Sequence, residues 1–184
     1  MKIAAWNIQQ GGGSRAEQIA NQLLKHQLDI IILSEFRNNA SGYYLRTKLL
    51  TKGYTFQYAS SASQHTNSVL IASKPECNLS SFSHVINDFP EAIVCAEYQA
   101  FTLWGLYLPH QKKHRLFEFL LDQIQVNQRC HILMGDFNTG KNFIDQKGDS
   151  FWYTEHLDTL EILGFKDAFR SCHGIKKEYS WISH

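Results

Sequence analysis

The chain has 184 residues, a formal net charge of +1 and a hydrophobic fraction of 43%. This length and apolar content predict one globular domain with a sizeable core, and they argue against an intrinsically disordered chain. The near-zero net charge excludes a global basic field, so a polyanionic partner would have to be bound through a local patch.

The N-terminal third predicts strands and helices in alternation. Residues 2–8 are typical of a short strand, and a glycine-rich turn follows at residues 9–13. Ser14 and Glu17 have the spacing of a capping box and predict a helix after them. The continuous apolar run at residues 29–33 predicts a strand covered on both faces, and residues 41–53 predict a second helix that ends at a glycine.

The middle of the chain predicts a series of strands. The pattern favours antiparallel neighbours joined by hairpins, over residues 54–58, 68–73, 78–83, 92–98 and 101–108. The C-terminal third returns to helical periodicity. Its predicted elements are a helix at 113–127, a strand at 131–134, a helix from Thr154 to Gly164 and a strand at 178–182.

These elements contain no internal repeat and no linker, so residues 1–184 are interpreted as a single domain. Helices near both ends with strand runs between them fit an α/β fold in which two sheets pack together and are covered by helices. Periodicity by itself leaves other mixed α/β arrangements open.

The N-terminus lacks the apolar core of a signal peptide, and no apolar run is long enough to span a membrane. The four cysteines are widely spaced and show no zinc-type pairing. Cys95 and Cys130 lie in apolar runs, which predicts buried free thiols in a reducing compartment. We therefore expect a soluble, cytoplasmic protein.

Polar side chains occur where several apolar runs end. Asn7 ends the first predicted strand, Glu35 follows the second apolar run, and Tyr107, Asp136 and Asn138 end two later ones. Polar groups at strand ends, converging on one rim of a rigid sheet, are a common way to build a site. Carboxylate and amide oxygens favour Mg²⁺ or Mn²⁺ over zinc. Each of these residues could also be an ordinary turn or core residue.

Seven short motifs occur in an order that resembles the endonuclease/exonuclease/phosphatase superfamily, and most closely its exonuclease III and abasic-site endonuclease branch. The motifs are Trp6-Asn7-Ile8, Ser34-Glu35-Phe36-Arg37, Asn67-Ser68-Val69-Leu70-Ile71, Tyr107-Leu108-Pro109, Gly135-Asp136-Phe137-Asn138, Asp167-Ala168-Phe169-Arg170 and Tyr179-Ser180-Trp181. Each motif is weak alone, and their joint order carries the resemblance. It implies a four-layer α/β sandwich, with two mixed sheets face to face and helices outside.

The resemblance also implies roles for the residues at the strand ends. Glu35 would anchor a divalent metal, with Asn7 as a neighbouring metal or phosphate ligand. Tyr107 would hydrogen-bond the scissile phosphate, and Asp136 would orient or deprotonate the attacking water. Asn138 would bind a phosphate oxygen or hold Asp136 in place.

Further residues match the family less directly. Asp167 resembles an acid that orients the family's catalytic histidine, with a helix-flanking acid as the alternative. Arg37, His110 and Trp181 are predicted to lie near the substrate phosphate, although His110 could be structural or solvated and Trp181 could be core packing. The basic cluster at residues 112–115 is interpreted as a solvated face and as the best local candidate for a phosphate-backbone contact.

The sequence departs from the family pattern at its C-terminal end. The family closes with an Asp-containing strand and a Ser-Asp-His tripeptide, which are not found here, and His184 lacks the preceding Asp. Two explanations stand side by side: a native chain that continues further, which we favour because losing a sheet strand would expose core edges, or a truncated and catalytically weak protein.

The resemblance implies a hydrolase that uses Mg²⁺ or Mn²⁺ to cleave phosphodiesters. The leading interpretation is a monomeric nuclease of DNA rather than RNA, either a repair-type endonuclease or a 3′ exonuclease. A phosphatase or phosphodiesterase for a small or lipid-linked phosphate is the first alternative. A catalytically impaired binding relic is the second.

Overall fold

A computed structural model describes residues 1–83 and 85–178 of the chain. The first of its two sheets has four strands, and its strand order is β1-β2-β4-β3. These strands are β1 Ile3–Asn7, β2 Ile30–Phe36, β3 Phe56–Ala59 and β4 Ser68–Ser73. β1 and β2 run parallel, whereas β4 is antiparallel to both of its neighbours.

The second sheet also has four strands, and they follow one another in chain order. They are β5 Asn78–Ser81, β6 Ile93–Glu97, β7 Phe101–Tyr107 and β8 Cys130–Asp136. β5, β6 and β7 form an antiparallel meander, and β8 pairs with β7 in parallel. Each sheet therefore contains one parallel pair, and each of those pairs is connected through a helix, as parallel strands require.

Within residues 1–83 and 85–178, five α-helices accompany the sheets, together with a short 3₁₀ turn at Gly13–Arg15. They are α1 Ala16–Lys25, α2 Ala40–Leu50, α3 His114–Val126, α4 Thr154–Ile162 and α5 Ala168–His173. In the described part of the chain, none of them is long and apolar enough to cross a membrane.

Three apolar clusters hold the layers together. The central cluster lies between the two sheets and includes Ile32, Ile71 and Leu103, all without solvent exposure. A second cluster joins the first sheet to α1 and α2, and a third joins the second sheet to α3 and α4. The order of layers is therefore helix, sheet, sheet, helix, which confirms the predicted four-layer α/β sandwich with two mixed sheets.

Several local predictions were wrong. The side chain of Ser14 does not cap α1, and α2 is capped by Asn39, whose side chain accepts a hydrogen bond from the backbone N–H of Gly42. Cys130 is exposed, although Cys95 is buried as expected and all four thiols are free. Cys130 begins β8 at the margin of the described sheet, where an apolar run does not ensure burial. The predicted strand at 178–182 lies almost wholly outside the described residues.

Candidate active site

The two parallel strand pairs bring polar side chains to one rim of the sandwich. In the first sheet Asn7 is paired with Ser34, and in the second sheet Tyr107 is paired with Asp136. β1 also packs against β8, which places the ends of both pairs side by side. The carboxyl ends of these strands therefore meet, as the sequence predicted.

Glu35 owes its orientation to an irregularity in β2. The pairing of β2 with β4 shifts between Ser34 and Phe36, and Glu35 has a φ of +54°. A non-glycine residue in this region is uncommon and is often found at functional sites. The bulge turns the Glu35 carboxylate to the rim, where Oε2 accepts a hydrogen bond from the backbone N–H of Gln10 at 2.8 Å.

Asn7 links the carboxylates of the two sheets. Its Nδ2 donates to Oε1 of Glu35 at 2.9 Å and to Oδ2 of Asp136 at 2.7 Å. Its Oδ1 accepts from the backbone N–H of Gln9 at 2.9 Å, which fixes the direction of the carboxamide. One amide group therefore bridges two half-buried acids that lie far apart in the sequence.

Asp136 is held by a turn at the end of β8. Asn138 has a φ of +47°, and its backbone N–H donates to Oδ1 of Asp136 at 2.9 Å. The carboxamide of Asn138 is used elsewhere, because its Nδ2 donates to the carbonyl of Leu108 at 2.7 Å. Of the two roles predicted for Asn138, holding Asp136 thus has a structural basis, and it is the backbone that provides it.

A further amide, Asn67, joins three of the predicted residues. Its Nδ2 donates to Oε2 of Glu35 at 3.1 Å and to the hydroxyl of Tyr107 at 3.4 Å. Its Oδ1 accepts from Nε of Arg37 at 2.7 Å. The pKa of Tyr107 is raised, mainly by burial and further by the negative charges of Glu35 and Asp136. The tyrosine is therefore a protonated hydrogen-bond donor at neutral pH.

The residues at this rim fit a divalent cation that keeps most of its water. Mg²⁺ typically takes one or two carboxylates and several waters. Glu35 accepts three N–H groups and Asp136 accepts two, whereas a carboxylate offers about four lone-pair sites. Among residues 1–83 and 85–178 no group of three or more His, Cys, Asp or Glu side chains could hold a metal ion. Both carboxylates therefore keep unused lone-pair sites, and Glu35 and Asp136 are the side chains at this rim that could hold such an ion.

Two predicted residues, Asp167 and His110, lie apart from this cluster. Asp167 is exposed at the start of α5, where its carboxylate accepts from the backbone N–H of Arg170 at 2.9 Å. This is the helix-flanking alternative, and the orienting role stays a prediction. His110 is exposed on the loop after β7. Trp181 lies outside the described residues.

The sequence motifs predict no role for Asn67, and the predicted solvent exposure of Lys113 is wrong. Asn67 directly precedes the buried strand β4, which is the same strand-boundary signal that identified Asn7. The sequence predicts that Lys113 lies in a solvated basic cluster, whereas its side chain is fully buried. Its Nζ donates to the carbonyls of Phe137 and Asn138 at 2.9 and 2.6 Å. The sequence carried no signal for this burial, because Lys113 stands among exposed basic neighbours.

The model of the endonuclease/exonuclease/phosphatase family matches residues 4–159, which include every residue of the hydrogen-bonded rim. The chain belongs to this family. A search of curated protein sequences gave no significant match.

Solved structures agree with the family assignment. An AP endonuclease from Archaeoglobus fulgidus superimposes with a TM-score of 0.79 at 18% identity, covering 100% of this chain and 77% of the other. A 3′ phosphatase, NExo, from Neisseria, bound to a product DNA hairpin, gives a TM-score of 0.74 at 20% identity. A 3′-5′ exonuclease, NExo, from Neisseria meningitidis gives 0.74 at 21%. Both of these cover 94% of this chain and 75% of theirs. At such identities the likeness establishes the fold.

Proposed function

We propose that the chain is a divalent-metal-dependent phosphodiester hydrolase that acts on DNA, as an endonuclease or a 3′ exonuclease. The observation that carries this proposal is a hydrogen-bonded set at one rim of the sandwich, in which Asn7 joins Glu35 to Asp136 and Asn67 joins Glu35 to Tyr107. It supplies an anchoring carboxylate, a second carboxylate and a protonated phenol within one cluster, and these groups can serve as metal ligand, general base and hydrogen-bond donor in phosphodiester hydrolysis.

Each side chain has a role that follows from its contacts. Asp136 is fixed through both carboxylate oxygens, so it is a pre-positioned acceptor for the proton of an attacking water. Tyr107 donates to a phosphate oxygen, since burial keeps its hydroxyl protonated. Glu35, with Asn7 beside it, would hold Mg²⁺ or Mn²⁺. When bound, the ion would neutralise charge on the phosphate and on the leaving oxygen.

The choice of DNA is supported by the solved structures rather than by the charge of the chain. The similar structures include an AP endonuclease, a 3′-5′ exonuclease, and a 3′ phosphatase bound to a product DNA hairpin. Arg37 adds a half-buried cation beside the cluster, held by Asn67, that can face a phosphate.

A substrate panel tests the proposal. The full chain is incubated with Mg²⁺ or with Mn²⁺ and with abasic duplex DNA, plain duplex DNA, RNA, 3′-phosphorylated DNA, inositol phosphate or bis(p-nitrophenyl) phosphate. We expect metal-dependent cleavage of the DNA phosphodiesters and loss of turnover in EDTA. Turnover of only the phosphomonoesters, 3′-phosphorylated DNA and inositol phosphate, would contradict the nuclease proposal and favour a phosphatase. No turnover of any substrate in either metal would contradict a hydrolase.

Asp136→Asn tests the role of the proposed base. The substitution keeps the shape of the side chain but removes its capacity to take a proton, so kcat should fall by about 10²–10⁴-fold. Asp122→Asn is the matched control, since Asp122 is exposed on α3, and its turnover should equal that of the wild type. Comparable kcat values for both variants on bis(p-nitrophenyl) phosphate would refute the assignment of Asp136.

A further inference from the structure

Lys113 is a fully buried lysine that forms no ion pair in the described part of the chain. Lysine is rarely buried to this extent without a charged partner, because removing the ammonium group from water is costly. Burial accordingly lowers the pKa of Lys113 to about 8, with the negative charge of Asp136 opposing this effect. Such a costly placement calls for an explanation beyond general stability.

The contacts of Lys113 converge on the turn that orients Asp136. Its Nζ donates to two successive carbonyls, those of Phe137 and Asn138. It also lies 5.5 Å from the centre of the Tyr153 ring, within cation–π range. The ammonium group therefore contacts both the turn that follows β8 and Tyr153, which directly precedes α4.

The carbonyls that Lys113 holds belong to the turn that follows Asp136. Asn138 adopts a φ of +47° there, in the left-handed region that asparagine tolerates better than most residues. This conformation aims the N–H of Asn138 at Oδ1 of Asp136. The far side of the turn is tied to Leu108, whose backbone N–H donates to the carbonyl of Asp136 at 2.8 Å and whose carbonyl accepts from Asn138. On the other side of the turn, the two hydrogen bonds from Lys113 to the carbonyls of Phe137 and Asn138 form what we call the Lys113 clamp.

The position of Lys113 is itself well fixed. It directly precedes α3, and its carbonyl accepts from the backbone N–H groups of Leu116 and Phe117. Both of those side chains are fully buried in the outer core of the second sheet. The ammonium group is thus mounted on a rigid helix rather than on a mobile loop.

We propose that Lys113 is a positioning residue, which holds the turn from Asp136 to Asn138 so that the Asp136 carboxylate faces the reacting phosphate. Its catalytic consequence rests on the proposed function, whereas its structural effect on the turn does not. Lys113 touches neither the carboxylate nor the rim, so it acts through the backbone of Phe137 and Asn138.

Lys113→Met provides the test, because methionine has a similar length but donates no hydrogen bond. The first readout is amide hydrogen exchange by NMR, which needs no catalysis. In the variant, the N–H of Asn138 should exchange at least about tenfold faster, since the turn loses two hydrogen bonds. Amides within β7 and α3 should keep their rates. Lys112→Met is the matched control, as Lys112 is the exposed neighbour, and it should leave the exchange of Asn138 unchanged.

The second readout is kinetic. On bis(p-nitrophenyl) phosphate, kcat of Lys113→Met should fall about 10–100-fold while KM stays within about twofold, because the base is misplaced rather than the substrate lost. Unchanged Asn138 exchange would overturn the clamp. Faster exchange with unchanged kcat in an active enzyme would overturn the positioning role. An inactive wild type with faster exchange in the variant would instead refute the proposed function and leave the clamp standing.

Lys113→Gln covers the case in which the methionine variant does not fold. Glutamine keeps a donor that can reach one carbonyl, so the exchange of Asn138 should fall between the wild type and full loss of protection. Unfolding of both variants would overturn the proposal, because Lys113 would then support the whole fold rather than the turn.

Discussion

At the scale of single residues, amide side chains organise the site. Asn7 and Asn67 each contact Glu35, and each extends the network to another predicted residue, Asp136 or Tyr107. A neutral amide can donate to an acid and accept from a cation at the same time. It can therefore fix charged groups without changing the net charge at the rim.

Asn67→Ala should remove the hydrogen-bond partner that Arg37, Glu35 and Tyr107 share. The variant loses three hydrogen bonds among partly buried groups, and the expected loss of stability is about 1–3 kcal/mol. We expect kcat on a DNA substrate to fall about tenfold or more, because Glu35 and Arg37 lose their common partner. Asn21→Ala, on the exposed face of α1, should change neither kcat nor the unfolding midpoint in urea. Equal kinetics for both variants would show that Asn67 is dispensable.

The sequence identified the charged and aromatic members of this cluster better than their supports. Glu35 and Asp136 follow apolar runs, so their exit from the core could be predicted. The bulge that turns Glu35 outward depends on the pairing of β2 with β4, which no local pattern records. Lys113 is buried by tertiary contacts that join loops from three parts of the chain, and these too lie beyond local patterns.

At the scale of elements, the strand β8 approaches β7 so closely at its end that one position requires glycine. Gly135 has a φ of +143°, and a Cβ atom there would lie 2.1 Å from the carbonyl oxygen of Leu106. This contact is with backbone, so it cannot be relieved by a side-chain rotation. The element that carries Asp136 can therefore keep its register with β7 only while residue 135 has no side chain.

Gly135→Ala should thus damage both the fold and the site. We expect the free energy of unfolding to fall by about 3 kcal/mol or more, because of the backbone clash and the unfavourable φ. The fraction of the variant that still folds should also lose turnover. Gly148→Ala is the control, because a Cβ there meets nothing within 4 Å and its φ is not positive. Thermal unfolding followed by circular dichroism distinguishes the two. Similar midpoints would contradict the close approach of β7 and β8.

The positions of most helices could be predicted from the sequence, whereas their first residues could not. The period of apolar residues located α1, α2, α3 and α4, because that period reflects burial against the sheets. Their caps were harder to predict, since Ser14, Asn39 and Ser41 are all suitable residues and the choice depends on the exit of the preceding strand. α5 has six residues, none of them buried, so it left no periodic signal to detect.

At the scale of the whole molecule, the site is divided between the two sheets. Asn7, Glu35 and Asn67 belong to the first sheet or its edges, whereas Tyr107 and Asp136 belong to the second. The sheets are joined close to the site by the buried hydroxyl of Ser34, which donates to the carbonyl of Leu106 at 2.8 Å. The packing of one sheet on the other therefore assembles the site, and a ligand shared by both halves should stabilise that packing.

Mg²⁺ should accordingly raise the unfolding temperature of the chain. A ligand at about 100 times its Kd stabilises the folded state by ~2.7 kcal/mol, which for a domain of this size corresponds to a shift of about 5–10 °C. Glu35→Gln should abolish most of that shift, because it removes the charge proposed to anchor the ion while keeping the shape of the side chain. Glu97→Gln is the control: Glu97 is exposed and pairs with Thr102 near the start of β7, at the opposite end from Tyr107. If Mg²⁺ shifts both variants equally in differential scanning calorimetry, the ion binds elsewhere, and Glu35 loses its assignment even if the enzyme requires a metal.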